Sequence, residues 1–576
     1  RSGNQAVVRV VFMVDDLHGG NDEQALTTLV LVRQRSRPTG RFRNVGAVPH
    51  AFFKVAAMTT DTRKNTTAYQ TAWVDVPVTL EPGSQDPLEF QIMTAHKVHR
   101  NADNASLSFD PTSTSRRTAP VTPQNKTLFT RRAPASQTLR PQDDEEIDSL
   151  LQRNSEQVQA LELASRLTGM PVEPSMLERI HFSVPRSSVE AVSDSEHTSL
   201  RFLVGCCRHP GLDVDTERIQ SALPPRHLDP AFALLVGDQI YADATAGLMD
   251  PLSPTERYVE RYETAFGLQG LGPFLAHTPT YMTPDDHEWI DAHPNGAPLL
   301  KWSWGDWTTG QNYQVKAREL RDWAGEALTS FERSLSWPLS YPNQAARAQA
   351  HPFVATAPKR PGWTTHRQGC AQLWIIDSRS WRNRRRPGSA DTEVVDPDDF
   401  NALLAALSAS ADNVLHVIVT GSVVLPGLYP NADPANPGAS DTWQYAPTQR
   451  TRLLQTLVSA CPRRFLLVSG DYHVSTAVSL KLNSQTVGAS IVAPPIYAPL
   501  PYANAAPEHV FMDEAVRLPA GELTQHACEG SATLRGNGMG DVLVERRGDG
   551  YSITYTGALK VLETGETIHR NCQITL

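Results

Sequence analysis

Short apolar runs separated by glycine, proline and polar clusters recur along the chain, and their spacing changes from region to region. In residues 1–100 the runs Val7–Val14, Thr27–Val32, Phe52–Met58, Thr71–Leu80 and Leu88–Met93 read as strands, which predicts a small all-β, sandwich-like domain. Residues 101–141 are dominated by Ser, Thr, Pro and Arg and hold too little apolar surface to offset the entropy of ordering, so they read as a linker. In residues 142–197 the acidic run Asp143–Glu146 precedes Ile147, Leu150, Leu151, Val158 and Leu161 on one helical face. That pattern predicts a helical connector whose first turn is stabilised by negative charge. Over residues 198–510 the strand runs Leu200–Val204, Phe232–Val236, Leu373–Ile376, Leu415–Thr420 and Phe465–Val468 alternate with helical stretches such as Val315–Trp337, the pattern of a layered α/β domain. Residues 511–576 return to strands and complete that domain, with Asp541–Arg546 and Tyr551–Thr556 flanking a Gly548-Asp549-Gly550 turn.

Composition narrows the function classes. At 576 residues the chain exceeds one ordinary core, and 40% apolar with 20% charged residues describes a soluble globular protein. A net charge of -9 argues against a nucleic-acid-binding domain. No apolar run approaches the roughly 18 residues of a membrane span. The chain opens Arg1-Ser2-Gly3 with no signal-peptide pattern, which leaves a cytoplasmic protein and an exported one with its leader removed equally open. Six cysteines are too few for a disulfide scaffold, and Cys528 with Cys572 is the pair that an oxidising compartment would join.

Four stretches set polar residues directly after an apolar strand or at a turn: Gly205-Cys206-Cys207-Arg208, Gly237-Asp238-Gln239-Ile240-Tyr241, Asp285-Asp286-His287-Glu288 and Gly470-Asp471-Tyr472-His473. Open α/β sheets bind ligands at such carboxyl ends of strands. Each stretch alone is explained as well by a turn, a helix cap or a buried small residue. Together they would place carboxylates, imidazole, thiolate and phenolate in one cleft, where desolvation and mutual repulsion demand a cation. Thiolate and phenolate favour a strongly polarising ion such as ferric iron, and carboxylates suit calcium, magnesium or manganese. Two such cations roughly 3.5 to 4 Å apart would acidify a water and clamp the attacking and leaving oxygens of a phosphoryl group.

The ordered set GCCR, GDQIYAD, DDHE, IDSR and SGDYH resembles the PhoD-type alkaline phosphatases of the calcineurin-like metallophosphoesterase superfamily, over roughly residues 198 to 510. The resemblance implies a four-layer sandwich, two mixed sheets between outer helices, behind an N-terminal β-domain. It implies Fe3+ and Ca2+, with Mn2+, Zn2+ or Mg2+ as alternatives. Cys207 resembles the family's cysteine ligand of iron, with Cys206 beside it as the competing position. Asp238 would bridge, Tyr241 would give a phenolate to iron, Asp286 would bind the second metal with Asp285 as its close competitor, and Asp471 and His473 would each serve one metal. His287 would bind phosphate or protonate the leaving alkoxide. Arg208 and Arg379 are candidates for a phosphate fork, with Arg379 equally placed to brace Asp377. Where the family often has an asparagine after DDHE as a further calcium ligand, this chain has Asp291. Arg382, Arg384, Arg385 and Arg386 form a basic cluster read as a solvated loop or as a means of steering an anion.

These residues predict a metal-dependent phosphoric ester hydrolase in which a metal-held hydroxide attacks phosphorus in line, with no covalent phospho-enzyme. A phosphomonoesterase is the first reading, and a phosphodiesterase or phospholipase-D-like activity on the same centre is the alternative. A binding module with a degenerate site is the rival from another class. Neither a Gly-x-Ser-x-Gly elbow nor a Gly-x-x-x-x-Gly-Lys-Ser/Thr loop occurs, so a serine hydrolase or P-loop nucleotidase is disfavoured.

Overall fold

The computed structural model describes residues 5–15, 27–35, 43–51, 53–54, 69–79, 88–97, 177–184, 198–209, 230–242, 261–262, 264–266, 271–289, 362–382, 393–410, 413–429, 442–498, 510–528, 534–560 and 566–576. The chain divides into two compact units, Asn4–Arg186 and Ser187–Leu576. The first unit contains β1 (Gln5–Asp15), β2 (Thr27–Arg35), β3 (Arg43–Ala51), β4 (Phe53–Lys54), β5 (Tyr69–Thr79), β6 (Leu88–Lys97) and β7 (Leu177–Val184). They form two sheets, β1-β5-β4 and β3-β2-β6-β7, with every pairing antiparallel. Strand β7 runs along β6 with Leu88 opposite Val184. The stretch read as a helical connector therefore supplies a strand to this unit, whereas its helical pattern at 147–161 and the linker at 101–141 lie outside the described residues.

The second unit is built on two mixed sheets. In one, β8 (Ser199–Arg208), β9 (Phe232–Val236) and β10 (Thr280–Thr283) run parallel. The C-terminal strands β21 (Asn537–Arg547), β22 (Gly550–Lys560) and β23 (Thr567–Thr575) extend the sheet antiparallel from the other side of β8. The short β17 (Pro495–Tyr497) pairs with the last residues of β8. The other sheet contains β11 (Trp363–Gln368), β12 (Ala371–Ile376), β13 (Leu415–Thr420), β14 (Phe465–Ser469), β15 (Val474–Leu482), β16 (Gln485–Val492), β18 (Ala515–Leu518) and β19 (Gly521–Ala527), with β20 (Leu534–Arg535) on β15. Strands β12, β13, β14 and β16 are parallel.

Alternation along the strands decides how the sheets stack. Phe202 and Val204 of β8, Leu234 of β9, Leu373 of β12, Val417 of β13 and Leu466 of β14 belong to one buried apolar cluster, so one face of each sheet meets the other. The opposite face of the nine-stranded sheet, including Ile376, Ile418 and Leu467, is covered by helices. A single turn, α1 (Gly272–Leu275), precedes β10. Helix α2 (Pro397–Ser408) starts where Asp396 accepts hydrogen bonds from the backbone of Asp398 (3.0 Å) and Asp399 (3.3 Å), with Pro397 in its first turn. Its buried Phe400, Leu403, Leu404 and Leu407 form one stripe. Helix α3 (Pro447–Ala460) sets Leu453, Leu454, Leu457 and Val458 against the same cluster. Among the described residues the layers are thus sheet, sheet and helix, and the predicted helix at Val315–Trp337 lies outside them.

Candidate metal centre

The carboxyl ends of parallel strands from both sheets open at one place. Strand β8 delivers Cys207 and Arg208, β9 the Asp238 turn, β10 the Asp285 to Glu288 turn, β12 Arg379, β13 Ser422 and β14 Asp471 and His473. The turns are tight enough to require unusual backbone. Cys207 (φ 50), Asp238 (φ 56), Asp471 (φ 69) and His473 (φ 56) all occupy the left-handed region, which non-glycine residues adopt at a cost of about 1 to 3 kcal/mol each. Gly237 (φ +96) precedes Asp238, and a Cβ there would collide with the Asp285 side chain. Another close approach is at Gly470, where a Cβ would meet Val236 O and Cys206 Cβ.

Three groups of side chains bring their ligand atoms within 4.8 Å of one another: Cys207, Asp238 and His473; Asp238, Asp286 and His287; and Asp238, Asp285, Asp286 and Asp471. Asp238 belongs to all three. Cys207 Sγ donates to Asp238 Oδ2 (3.5 Å), and Tyr241 Oη reaches the same oxygen (3.5 Å) and shares a shorter hydrogen bond with His473 Nε2 (2.7 Å). The His287 backbone N–H donates to Asp238 Oδ1 (3.2 Å), and its ring stacks on Tyr241 at 4.0 Å.

Burial is nearly complete: Cys207, Asp238, Asp285 and Asp286 show no exposed surface. Burial raises the Asp238 carboxyl well above the usual carboxylate range, with Cys207 and Asp286 adding to the shift and His287 opposing it. Burial likewise drives up Tyr241, then Cys207 and Asp238 push it further. The Cys207 thiol is raised for the same first reason. Arg379 is the buried counter-charge, its Nε on Asp285 Oδ1 (2.5 Å) and its outer nitrogen 3.5 Å from Asp286 Oδ1. Asp285 Oδ2 is buried with no hydrogen-bond partner among the described residues. An orphaned carboxylate oxygen beside a group of buried acids fits a bound cation, and the donors present, one thiol, one phenol, two imidazoles and four aspartates, fit two kinds of cation.

A model of the PhoD-like phosphatase family matches residues 221–526, more than half of the chain and all of these turns except that of Cys207. The chain belongs to the PhoD-like phosphatases. It is accordingly a phosphoesterase. A solved structure titled "Structure of PhoD" aligns over 99% of this chain and 88% of its own, with 12% identity and a TM-score of 0.52, a likeness of fold. No curated protein matches the sequence.

Within this PhoD-like fold the predicted site residues separate. Cys207 faces Asp238, whereas Cys206 turns away and donates to Ala493 O (3.4 Å) and Pro494 O (3.5 Å). Asp285 and Asp286 both join the acidic group. Arg379, expected as a phosphate fork or a brace for Asp377, is wholly buried with its Nε on Asp285, and its backbone N–H donates to Asp377 Oδ1 (3.1 Å). Arg382 also differs from a solvated loop residue, since it lies over the Tyr445 ring (4.7 Å) and donates to Thr442 O (2.9 Å). Asp291 and Arg384 to Arg386 lie outside the described residues. All six cysteines are unbridged, Cys528 and Cys572 included. Ser422, whose hydroxyl donates to Asp285 Oδ1 (2.9 Å), had no sequence signal beyond following the β13 run. Glu288 was visible only as the last letter of DDHE.

Proposed function

We propose that this PhoD-like enzyme is a metal-dependent phosphomonoesterase. The observation that carries the reading is Asp238, the carboxylate common to all three candidate ligand groups among the described residues. Cys207, Asp238, Tyr241 and His473 would hold ferric iron, the thiolate and phenolate supplying soft and strongly donating ligands, and Asp238, Asp285, Asp286 and Asp471 would hold calcium. Bound cations would acidify a water for in-line attack and neutralise the phosphoryl group. His287, whose backbone N–H donates to Asp238 and whose ring stacks on Tyr241, would give a proton to the departing alkoxide. Arg208 follows Cys207 directly and is 5% exposed. Burial first, and the neighbouring Arg261 second, lower its guanidinium to about 10. A monoester, with one more negative charge than a diester, suits two bound cations with Arg208 beside them. A fourth, helical layer outside the seven-stranded sheet belongs to the same reading, supported by the burial of Leu203 and Leu235 on that face.

The test compares a nitrophenyl phosphate monoester with its bis-ester, alongside elemental analysis and a visible spectrum. Faster turnover of the monoester, iron and calcium in the protein, and a tyrosinate-to-iron absorption band are expected. Bis-ester turnover exceeding that of the monoester assigns the centre to diesters, and metal-loaded protein that cleaves neither compound overturns the proposal.

A further inference from the structure

The geometry points to Glu288 as the positioning residue that locks the two ligand-bearing turns into one centre. Its carboxylate is fully buried and accepts from backbone amides on both oxygens. Oε2 accepts from the N–H of Asp238 (3.1 Å) and of Asp285 (2.7 Å), and Oε1 accepts from the N–H of Gln239 (2.5 Å) and of Ile240 (3.4 Å). One side chain thereby gathers amides from two turns that lie about fifty residues apart in sequence (|i−j| = 50 for Glu288 and Asp238). Three of those amides are consecutive, a concave donor array of the kind that binds anions. Here the protein's own carboxylate fills it.

The consequence reaches the ligands through the backbone. Asp238 holds a left-handed φ of 56, and the turn after β10 begins at Asp285 with a capping box closed by Glu288 itself. Such strained backbone persists only where surrounding contacts over-determine it. The Asp238 turn is held besides by Gln239 Nε2, which donates to Leu235 O (3.2 Å) and Thr283 O (3.1 Å). Those bonds anchor the base of the turn, while the Glu288 bonds set the position of the Asp238 backbone and with it the shared carboxylate. A carboxylate suits the task because it is an acceptor on both oxygens. Glutamine would keep the shape but turn an NH2 group toward the backbone donors of one oxygen, so that two of the four bonds are lost.

This inference rests on the metal-centre reading, and its test separates the two. Glu288→Gln and Glu288→Asp are purified with the parent protein, and metal content is measured after dialysis against graded chelator, together with kcat and KM on the nitrophenyl monoester and a thermal melt. In Glu288→Gln a loss of about 10- to 100-fold in metal affinity and in kcat is expected, the range for residues that support ligands, with KM within a few-fold of the parent. Glu288→Asp, which keeps both acceptors on a shorter stem, should fall between the parent and Glu288→Gln. Parental metal affinity in folded Glu288→Gln, a loss confined to KM, or an Asp variant worse than the Gln variant overturns the assignment. Failure of both variants to fold overturns it as well, because Glu288 is then a folding residue. If the parent protein cleaves no phosphate ester, the proposed function fails, and the metal-affinity comparison still decides the role of Glu288.

Discussion

Two buried carboxylate regions of the phosphoesterase unit are treated in opposite ways. Glu514 meets Arg450 in a two-pronged pair (2.7 Å on each side) and also accepts from the Gly427 N–H (3.0 Å) and Gln444 Nε2 (3.2 Å). Burial raises its carboxyl, but the Arg450 hydrogen bonds and charge outweigh burial and the net shift is downward. At the metal centre Arg379 meets Asp285 and Asp286 within a group of four aspartates, and Asp238 and Asp285 are both raised, burial being the first cause in each. The fold can therefore neutralise a buried acid fully where the purpose is to pin α3 to the segment after β13. Leaving the centre short of positive charge is a property of that site alone of the two, and it makes the site a receptor for cations.

The largest effect should come from removing the shared ligand. Asp238→Ala is expected to lower kcat by more than about 100-fold, beyond the loss typical of supporting residues, and to abolish retention of metal on dialysis. Full turnover with parental metal content in this variant would remove the centre from the chemistry. At the other region, Arg450→Met leaves Glu514 buried without its partner and should cost about 3 to 5 kcal/mol of stability in denaturant titration. The folded fraction should keep its kcat. If Arg450→Met instead loses metal at unchanged stability, the two regions are coupled and the contrast between them fails.

Chelation gives the next effect in size. A cation present at a hundred times its dissociation constant stabilises the native state by about 2.7 kcal/mol, so stripping metal from the parent protein should lower its melting temperature. Asp238→Ala should show no such drop. A chelator effect of equal size in both proteins would place the stabilising cation elsewhere.

How much of this contrast could be read in advance depended on chain distance. The parallel strand at Phe232–Val236 is an unbroken apolar run and that at Leu415–Thr420 is apolar apart from His416 and the final Thr420, and they coincide with β9 and β13. The Gly-Asp turns that follow such runs were equally plain, because a polar residue after a buried strand has little to do but cap or bind. Strand β10 escaped notice: Thr280-Tyr281-Met282-Thr283 is short, and only Met282 and Thr283 are buried in it. Strand β3 carries no plain strand signature either, since Gly46 and Pro49 inside it look like a turn. Partners were less legible than elements. Arg379 sits beside Asp377 in sequence, yet its charge meets Asp285, 94 positions away, a choice made by the meeting of two sheets. The role of Glu288 was hidden for a related reason, since its partners are backbone amides, which leave no trace in residue identity.

The smallest predicted effect is a pH dependence that isolates the satisfied region. Glu514 is held below its ordinary value of 4.5, so its contribution to stability is complete above that value and is lost as pH falls through the lower folded value. Glu514→Gln removes the titration. The stability gap between parent and Glu514→Gln, measured by denaturant titration in chelator, should be constant from neutral pH down to about 4.5 and narrow below it. In metal-free protein the raised aspartates act with the opposite sign, because acids harder to ionise when folded lose stability as pH rises through their unfolded range. Those contributions are common to both proteins and cancel in the difference, provided the regions are independent. A gap that widens on acidification would mean that Glu514 is not stabilised as an anion, and the contrast between the two buried acidic regions would lose its satisfied member.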